Sequence, residues 1–187
     1  MCIRDRIQDT LSLSDSLRLV SGMNYRYDRA DSDTYFNGTL DDTTWRLFGH
    51  LEWRASEHWL LQGGAMYEDT HLSGNSLTPR VAVNYLINPR HGLRAVYSEA
   101  IRSPDMFENN VNWSYRVTNL SSPTYGQNSG QYFVVTRGPG NLDKELMRSR
   151  ELGYNGFFAD FGLNVDVKLF YDEITEMISS PLRNNQY

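Results

Sequence analysis

The stretch FGLNVDVKLFY, residues 161–171, carries the alternation that decides the fold class. Its odd-numbered positions are apolar and most of its even-numbered positions are polar or small: Phe161, Leu163, Val165, Val167, Leu169 and Tyr171 against Gly162, Asn164, Asp166, Lys168 and Phe170. Because successive side chains of a strand point to opposite faces, this pattern predicts a strand with one apolar and one polar face. Strands of globular proteins average about 5–6 residues, whereas a tilted membrane strand has about 9–11. The length of the segment therefore favours a membrane strand.

The same alternation recurs along the chain. It covers residues 16–30, 44–55, 59–68, 77–87, 93–98, 151–158 and 161–171, with a short first strand at residues 7–13. We therefore predict an all-β fold of about eight antiparallel strands, with no domain boundary between residues 7 and 187. Apolar faces meeting lipid and polar faces lining a lumen are the arrangement of a transmembrane β-barrel.

The connections between these strands alternate in length. Tight polar turns are predicted at Ser14-Asp15, Ser56–His58, Asn88–Gly92 and Ala159-Asp160, and longer connections at about residues 29–43, 70–76 and 105–146. Outer-membrane barrels show this asymmetry, with short periplasmic turns and long extracellular loops. We expect residues 105–146 to form a long extracellular loop.

The composition argues against several other classes of protein. Of the 187 residues 40% are hydrophobic, and no apolar run approaches the roughly 18 residues that a membrane-spanning helix needs. The net charge of −5 argues against a nucleic-acid partner, which usually requires a basic patch. The single cysteine, Cys2, excludes an internal disulfide and a cysteine-based zinc site.

Both ends of the chain are expected to be cuts. Residues 1–6 (MCIRDR) fit no strand pattern and are expected to be an artefactual or disordered start. They are not followed by the apolar segment of a signal peptide, and the chain ends abruptly at residues 183–187. On this interpretation residues 7–187 are part of a longer barrel.

Two regions carry motifs that resemble a known family. Residues 77–108 contain Pro79-Arg80, a turn at Asn88-Pro89, and a strand end at Arg102-Ser103-Pro104 with Phe107. Downstream, Glu151–Tyr154 (ELGY) is followed by Val167–Ile174 (VKLFYDEI). In this order and spacing, residues 7–180 resemble the barrel of a TonB-dependent receptor.

This resemblance implies an open fragment of a barrel of about 22 strands that also has an N-terminal plug domain. The whole protein would be an active-transport receptor in the cell outer membrane of a Gram-negative bacterium. It would import a ferric siderophore or a similar metal chelate with energy passed through TonB. Its partners would be outer-membrane lipid, the chelate, and the TonB complex through a plug domain absent from this chain. The resemblance implies no enzyme activity, cofactor, resident metal or nucleic acid.

Candidate ligand-binding residues lie on the polar faces and in the long loop. Seven arginines face the expected lumen: Arg18, Arg26, Arg46, Arg54, Arg80, Arg94 and Arg102. We take Arg80, Arg94 and Arg102 as candidates, since a planar guanidinium suits the anionic oxygens of a ferric chelate. The alternative is that these arginines pair with Glu52, Glu68, Asp166 or plug carboxylates.

The candidates in the long loop are aromatic: Trp113, Tyr115, Tyr125 and Tyr132. Binding residues concentrate on loops, although these rings could equally pack against their neighbours. Arg102-Ser103-Pro104 is expected to be structural, because proline lacks a ladder N–H and marks where a strand leaves its sheet.

The sequence shows no motif for metal binding or for catalysis. The four histidines have no metal-ligand spacing, and the motifs of common hydrolases, metalloproteases and P-loop proteins do not occur. Three alternatives remain open: a passive porin-like channel, a soluble β-sandwich binding module, and an outer-membrane enzyme with a dispersed site. A β-sandwich predicts short strands with apolar faces turned into a core.

Overall fold

The computed structural model describes residues 1–118 and 129–178, with the backbone alone for residues 131–136. The described strands are β1 (Cys2–Ser14), β2 (Leu17–Ser32), β3 (Gly38–Arg54), β4 (Trp59–Thr70), β5 (Gly74–Asn88), β6 (His91–Arg102), β7 (Asn112–Val117), β8 (Gly130–Arg137), β9 (Glu145–Phe158) and β10 (Leu163–Thr175). Helix α1 (Met106–Asn110) precedes β7, and a 3-10 turn (Ala159–Phe161) links β9 to β10. No helix among these residues is long and apolar enough to cross a membrane.

Eight of the strands form one antiparallel sheet in the order β1-β2-β3-β4-β5-β6-β9-β10. Each strand pairs with the strand that follows it in the chain, except that β6 pairs with β9. The chain between β6 and β9 leaves the sheet, and β7 and β8 form a separate antiparallel hairpin there. Within the described residues β1 and β10 are free edges, so the sheet is open. The predicted open, all-β fold of about eight strands is confirmed.

The register places the apolar side chains of neighbouring strands on one face. One row across six strands consists of Trp53, Leu61, Val83, Ala95, Leu152 and Leu169. We call this side the apolar face and the other the polar face. Leu152 and Leu169 are 62% and 68% exposed, and the buried hydrophobic residues of the described chain are only Ala82 and Val111. A barrel wall presents its apolar face in this way, whereas a β-sandwich turns it into a core.

Strands β2 and β3 are longer than their alternation predicts. They contain 16 and 17 residues, and their pairing continues to Ser32 opposite Gly38. The connection is therefore residues 33–37 rather than 29–43, and it ends at Asn37 with a φ of 57°. The prediction was wrong because alternation marks only the part of a strand that has an apolar face. Nearer the turn both faces are polar, and backbone hydrogen bonds alone continue the strands.

Residues 2–6 are not disordered, contrary to the expectation for the start of the chain. They continue β1, with Cys2 opposite Asp28 and Arg6 opposite Asn24. Their backbone groups pair with the edge of β2, which would otherwise have unpaired donors and acceptors. The sequence pattern misses this part of β1 because charged residues occur on both of its faces.

The connection expected as a loop at residues 105–146 contains regular structure. Helix α1 and the β7–β8 hairpin lie within it, and β9 begins at Glu145. Strand β7, NWSYRV, alternates polar and apolar residues over only six positions, and β8, GQYFVVTR, has no clean alternation. The alternation in β7 is shorter than the segments of about 9–11 residues expected for membrane strands, and β8 gives no periodic signal, although the backbone groups of the two strands pair.

Gly64 provides a test of how closely β3 and β4 approach. A Cβ at Gly64 would lie 2.8 Å from the carbonyl oxygen of Gly49 and 3.0 Å from His50 Nδ1, whereas a Cβ at Gly63 would meet nothing within 4 Å. We expect Gly64→Ala to lower the free energy of unfolding by about 1–3 kcal/mol, as overpacking does. The matched control Gly63→Ala should change it by less than about 0.5 kcal/mol. Urea unfolding in detergent measures both, and equal effects would contradict the close approach.

Candidate ligand-binding site

A cavity of about 530 Å³ lies on the polar face, where β2, β3, β4 and β6 approach their long-connection ends. Residues of these strands form one side of it, and the segment Ile101–Phe107 forms the other. Its charged lining residues are Arg26, Asp28, Asp42, Arg46, Glu68, Arg102 and Asp105. The cavity therefore lies between the sheet and the chain that leaves it.

The carboxylate of Glu68 is the centre of a buried polar network beside this cavity. Arg46 Nε donates to its Oε2 at 2.5 Å, and Ser103 Oγ donates to its Oε1 at 2.5 Å. Lys144 Nζ donates to the same Oε1 and to Ser76 Oγ, each at 3.2 Å. Glu68 is 2% exposed, and a buried carboxylate is tolerated only when it is paired and hydrogen-bonded. Through Ser103 and Lys144 this one side chain holds both ends of the β6–β9 connection.

Arg102 has a second set of carboxylate partners at the junction of β6 and α1. Its guanidinium pairs with Glu108, and its Nη1 lies 3.3 Å from Glu145 Oε1. Glu108 also belongs to a capping box: Asp105 Oδ1 accepts from the Glu108 N–H at 2.7 Å, and the Asp105 N–H donates to Glu108 Oε2 at 3.0 Å. Strand β6 ends at Arg102, two residues before the buried Pro104. The prediction that the strand leaves its sheet at the Arg-Ser-Pro motif is confirmed.

These contacts determine the ionisation of Glu108. Burial raises the pKa of its carboxyl, but the hydrogen bond from Arg102, the N–H of Asp105 and the charge of Arg102 outweigh burial. The pKa of Glu108 is therefore below its ordinary value, and the carboxylate stays ionised at neutral pH.

The β7–β8 hairpin forms backbone hydrogen bonds with the connection between β2 and β3. The N–H groups of Asn112 and Ser114 donate to the carbonyl oxygens of Tyr35 and Thr34, each at 2.7 Å. The ring of Tyr35 makes edge contacts with Phe107 at 5.9 Å and with Trp113 at 5.5 Å between centroids. The rings of Phe107 and Trp113 thus both pack against the ring of Tyr35.

The charges around the cavity nearly cancel. Arg26 pairs with Asp28 at 2.5 Å, Arg46 with Glu68, and Arg102 with two glutamates. Asp42 accepts hydrogen bonds from Thr70 Oγ1 at 3.1 Å and from the Leu72 N–H at 3.2 Å. Three arginines face four carboxylates in the lining, so the cavity is not a cationic pocket.

The structure does not bring the three candidate arginines together. Arg102 lines the cavity, whereas Arg80 lies on the polar face in register with Gly64 and Ser98. Since Ser98 precedes Arg102 by four positions on β6, Arg80 is displaced by roughly 13 Å along the strands. Arg94 lines a different cavity of about 440 Å³ near the tight turns. Its buried Nε has no hydrogen-bond partner among the described residues.

The candidate aromatic residues are also divided. Trp113 packs against Tyr35, and Tyr115 is 49% exposed beside a small cavity formed with residues 33, 34 and 37. The backbone of Tyr132 pairs with that of Tyr115 in the hairpin. Tyr125 lies outside the described residues.

Sequence reasoning missed the network around Glu68. It named Glu68 only as an alternative partner for an arginine, and that pairing with Arg46 is confirmed, as is the pairing of Arg18 with Glu52 at 3.1 Å. It did not single out Lys144, which is 76 positions from Glu68 and has no periodic relation to it. Only the opposition of Arg46 and Glu68 on adjacent strands could have been anticipated from the alternation.

Comparison with known proteins identifies the family. A family model for the β-barrel of TonB-dependent receptor-like proteins matches residues 5–187. The chain belongs to this family. The resemblance predicted from residues 7–180 is therefore confirmed. No curated protein sequence matches the chain.

Solved structures of siderophore receptors share the fold of this chain. The siderophore receptor PirA from Pseudomonas aeruginosa matches with a TM-score of 0.76 and 16% identity over 92% of this chain and 32% of its own. PirA from Acinetobacter baumannii matches with a TM-score of 0.70 and 14% identity over 92% and 27%. A mutant of the ferric enterobactin receptor PfeA from Pseudomonas aeruginosa, in complex with enterobactin, gives 0.69 and 15% over 92% and 26%. The chain thus spans about a third or less of these receptors.

Replacing Glu68 with alanine tests the buried network. Lys144, whose side chain is 8% exposed, would remain as a buried cation without a carboxylate, and the half-buried Arg46 would lose its ion pair. Breaking a buried ion pair in this way costs about 3–5 kcal/mol of stability. The matched control is Glu52→Ala, whose partner Arg18 is 54% exposed and whose loss should cost less than about 1 kcal/mol. Urea unfolding measures the loss, and limited proteolysis should show faster cleavage between residues 103 and 144 in Glu68→Ala alone. Similar behaviour of the two variants would contradict the proposed role of the network.

The lowered pKa of Glu108 predicts that α1 loosens in acid. A carboxylate with a depressed pKa stabilises the folded state fully above its unfolded pKa of about 4.5, and this contribution is lost as the pH falls through its folded value. Hydrogen exchange of residues 104–113, corrected for the intrinsic rate, should therefore accelerate in that range. Glu108→Gln should remove this pH dependence. If the variant retains it, another group is responsible.

Proposed function

We propose that this chain is part of the wall of an outer-membrane receptor that imports a metal chelate with energy supplied through TonB. The observation that carries the proposal is the family match over residues 5–187. The exposed apolar face and the cavity at the long-connection ends of the strands support it. The plug domain and the contact with TonB would belong to other parts of the receptor.

Aromatic side chains support the position of the wall in a membrane. Trp45 and Trp53 on β3, like Trp59 and Tyr67 on β4, are eight positions apart on the apolar face, and they are between 41% and 46% exposed. Eight positions span roughly 27 Å along a strand, or about 21 Å along the membrane normal at a tilt of about 40°. Outer-membrane barrels have aromatic girdles at both borders of an apolar band about 25 Å tall. The spacing in β3 and β4 is close to that value.

The cavity on the polar face supports uptake of a small ligand. Its volume of about 530 Å³ is within the usual range for small-molecule sites, about 300–1,000 Å³. The matched receptors PirA and PfeA are described as receptors for siderophores and for ferric enterobactin. In this chain the ligand would enter from the side of the β7–β8 hairpin and pass along the polar face.

The candidate residues take different parts in this proposal. Neither Arg80 nor Arg94 has an ion-pair partner among the described residues. Arg80 is exposed on the polar face whereas Arg94 is half-buried, so Arg80 is the candidate arginine more accessible to an anionic chelate. Arg94 would contact the ligand later, nearer the tight turns. Arg102 shapes the cavity through its glutamates. Trp113, Tyr115, Tyr125 and Tyr132 would offer ring contacts at the entrance.

Uptake of radioactive iron tests the function in cells that express the complete receptor. Ferric catecholate and ferric hydroxamate chelates would be supplied separately, in strains with and without TonB. We expect uptake of at least one chelate, and we expect it to require TonB. Uptake that is equal in both strains would support the passive channel instead, and no uptake of any chelate would overturn the proposal.

Substitution of Arg80 tests the ligand contact in the same cells. Arg80→Gln should weaken binding of an anionic chelate about tenfold, which corresponds to about 1.4 kcal/mol. Arg54→Gln is the matched control, because Arg54 is also an exposed arginine on the polar face but lies at the tight-turn end of β3. Equal effects of the two variants would remove Arg80 from the binding site.

A further inference from the structure

A groove of about 470 Å³ crosses the apolar face between β5 and β10. Its floor includes Val83, Ala95, Leu152 and Leu169, which follow one another across four neighbouring strands. Ala95 has the smallest side chain of the row, and the space that it leaves gives the groove its depth. All of its lining residues lie on β5, β6, β9 and β10.

The end of the groove nearer the long connections is polar. There Arg150 lies between Tyr97 on β6 and Tyr171 on β10, in register with both. The Arg150 guanidinium is 5.9 Å from the centroid of the Tyr171 ring. One cation flanked by two aromatic rings thus adjoins an apolar floor.

Arg150 differs from the other arginine nearby on this face. Arg148, two positions away, pairs with Glu99 through Nε at 3.4 Å, and Glu99 also accepts the hydroxyl of Tyr97 at 2.5 Å. Arg150 is exposed and has no carboxylate partner among the described residues. A cation on an apolar face is costly unless it reaches an anion or the membrane interface. Arg150 therefore has donors available for an anion from the surroundings.

Arginine and the apolar groove together match the chemistry of an anionic lipid. The planar guanidinium donates two parallel hydrogen bonds to a phosphate, and its charge complements that group. Tyrosine is enriched at the depth of lipid headgroups. An acyl chain extending from a phosphate at Arg150 would lie along Ala95 and Leu152.

We propose that this groove binds one phosphate-bearing anionic lipid, with its headgroup on Arg150 and an acyl chain along Ala95 and Leu152. The proposal rests on the membrane position argued above, but it does not depend on the chelate or on TonB. It assigns the apolar face a specific ligand rather than general contact with lipid.

Native mass spectrometry of the purified complete receptor tests the site. The probes are phosphatidylglycerol and phosphatidylcholine with identical acyl chains. We expect phosphatidylglycerol to bind at least tenfold more tightly, and we expect Arg150→Gln to abolish that preference. Arg148→Gln is the matched control and should change the affinity by less than twofold. Equal losses in both variants, or equal affinity for both lipids, would overturn the proposal.

A second variant tests the contribution of the apolar groove separately from that of the Arg150 charge. Ala95→Leu fills the floor without changing any charge, and Ala95 is exposed, so the sheet should fold normally. It should weaken phosphatidylglycerol binding at least fivefold, whereas inorganic phosphate should not compete with the lipid at millimolar concentration. Unchanged lipid binding in this variant would overturn the acyl-chain site. Because the measurement contains no chelate, loss of iron uptake with intact lipid binding would contradict the proposed function alone.

Discussion

The continuous ladder of backbone hydrogen bonds across eight strands is the constraint on which the rest of the structure depends. In the membrane position that we propose for this wall, a strand satisfies its N–H and C=O groups only by pairing with neighbouring strands. This explains why the strands are long and why sequential strands pair, with register maintained through 15 or 16 positions in places. The large apolar side chains then face outward, so the ladder and the surroundings stabilise the sheet in place of a packed core.

Between β6 and β9 the chain leaves the ladder of backbone hydrogen bonds, and hydrogen bonds that involve side chains hold it to the sheet instead. Glu68 receives donors from both ends of this connection, the Asp105–Glu108 capping box starts α1, and Asn112 bonds to the carbonyl of Tyr35. Buried polar networks stabilise a structure only when their members are satisfied. The candidate site is therefore rich in ion pairs and yet nearly neutral. Its arginines are paired with carboxylates of the wall, whereas Arg80, outside the cavity, has no ion-pair partner among the described residues.

Much of the sheet could be predicted from the sequence, because alternation is a local property of a strand with one apolar face. It located every strand of the main sheet and the correct face for residues such as Leu77 and Arg46. It failed where that face ends, at residues 2–6 and 29–43, since a strand that is polar on both sides leaves no periodic signal. The hairpin within residues 105–146 was missed because β7 alternates over only six residues and β8 has no clean alternation. Of the candidate site, only the pairing of polar-face neighbours was predictable.

By itself the sequence determined the strand type, the two faces, the sequential antiparallel order and the family motifs, because each depends on residues close together in the chain. Only the tertiary structure decided that Lys144 and Ser103 meet Glu68, and that the β6–β9 connection contains a helix and a hairpin. It also decided that Arg150 lies beside an apolar groove without a carboxylate partner among the described residues. These features depend on the register between strands and on the path of the connection outside the sheet. Neither the register nor the path of the connection produces a periodic pattern in the sequence, because contacts between distant residues are set by the folded backbone.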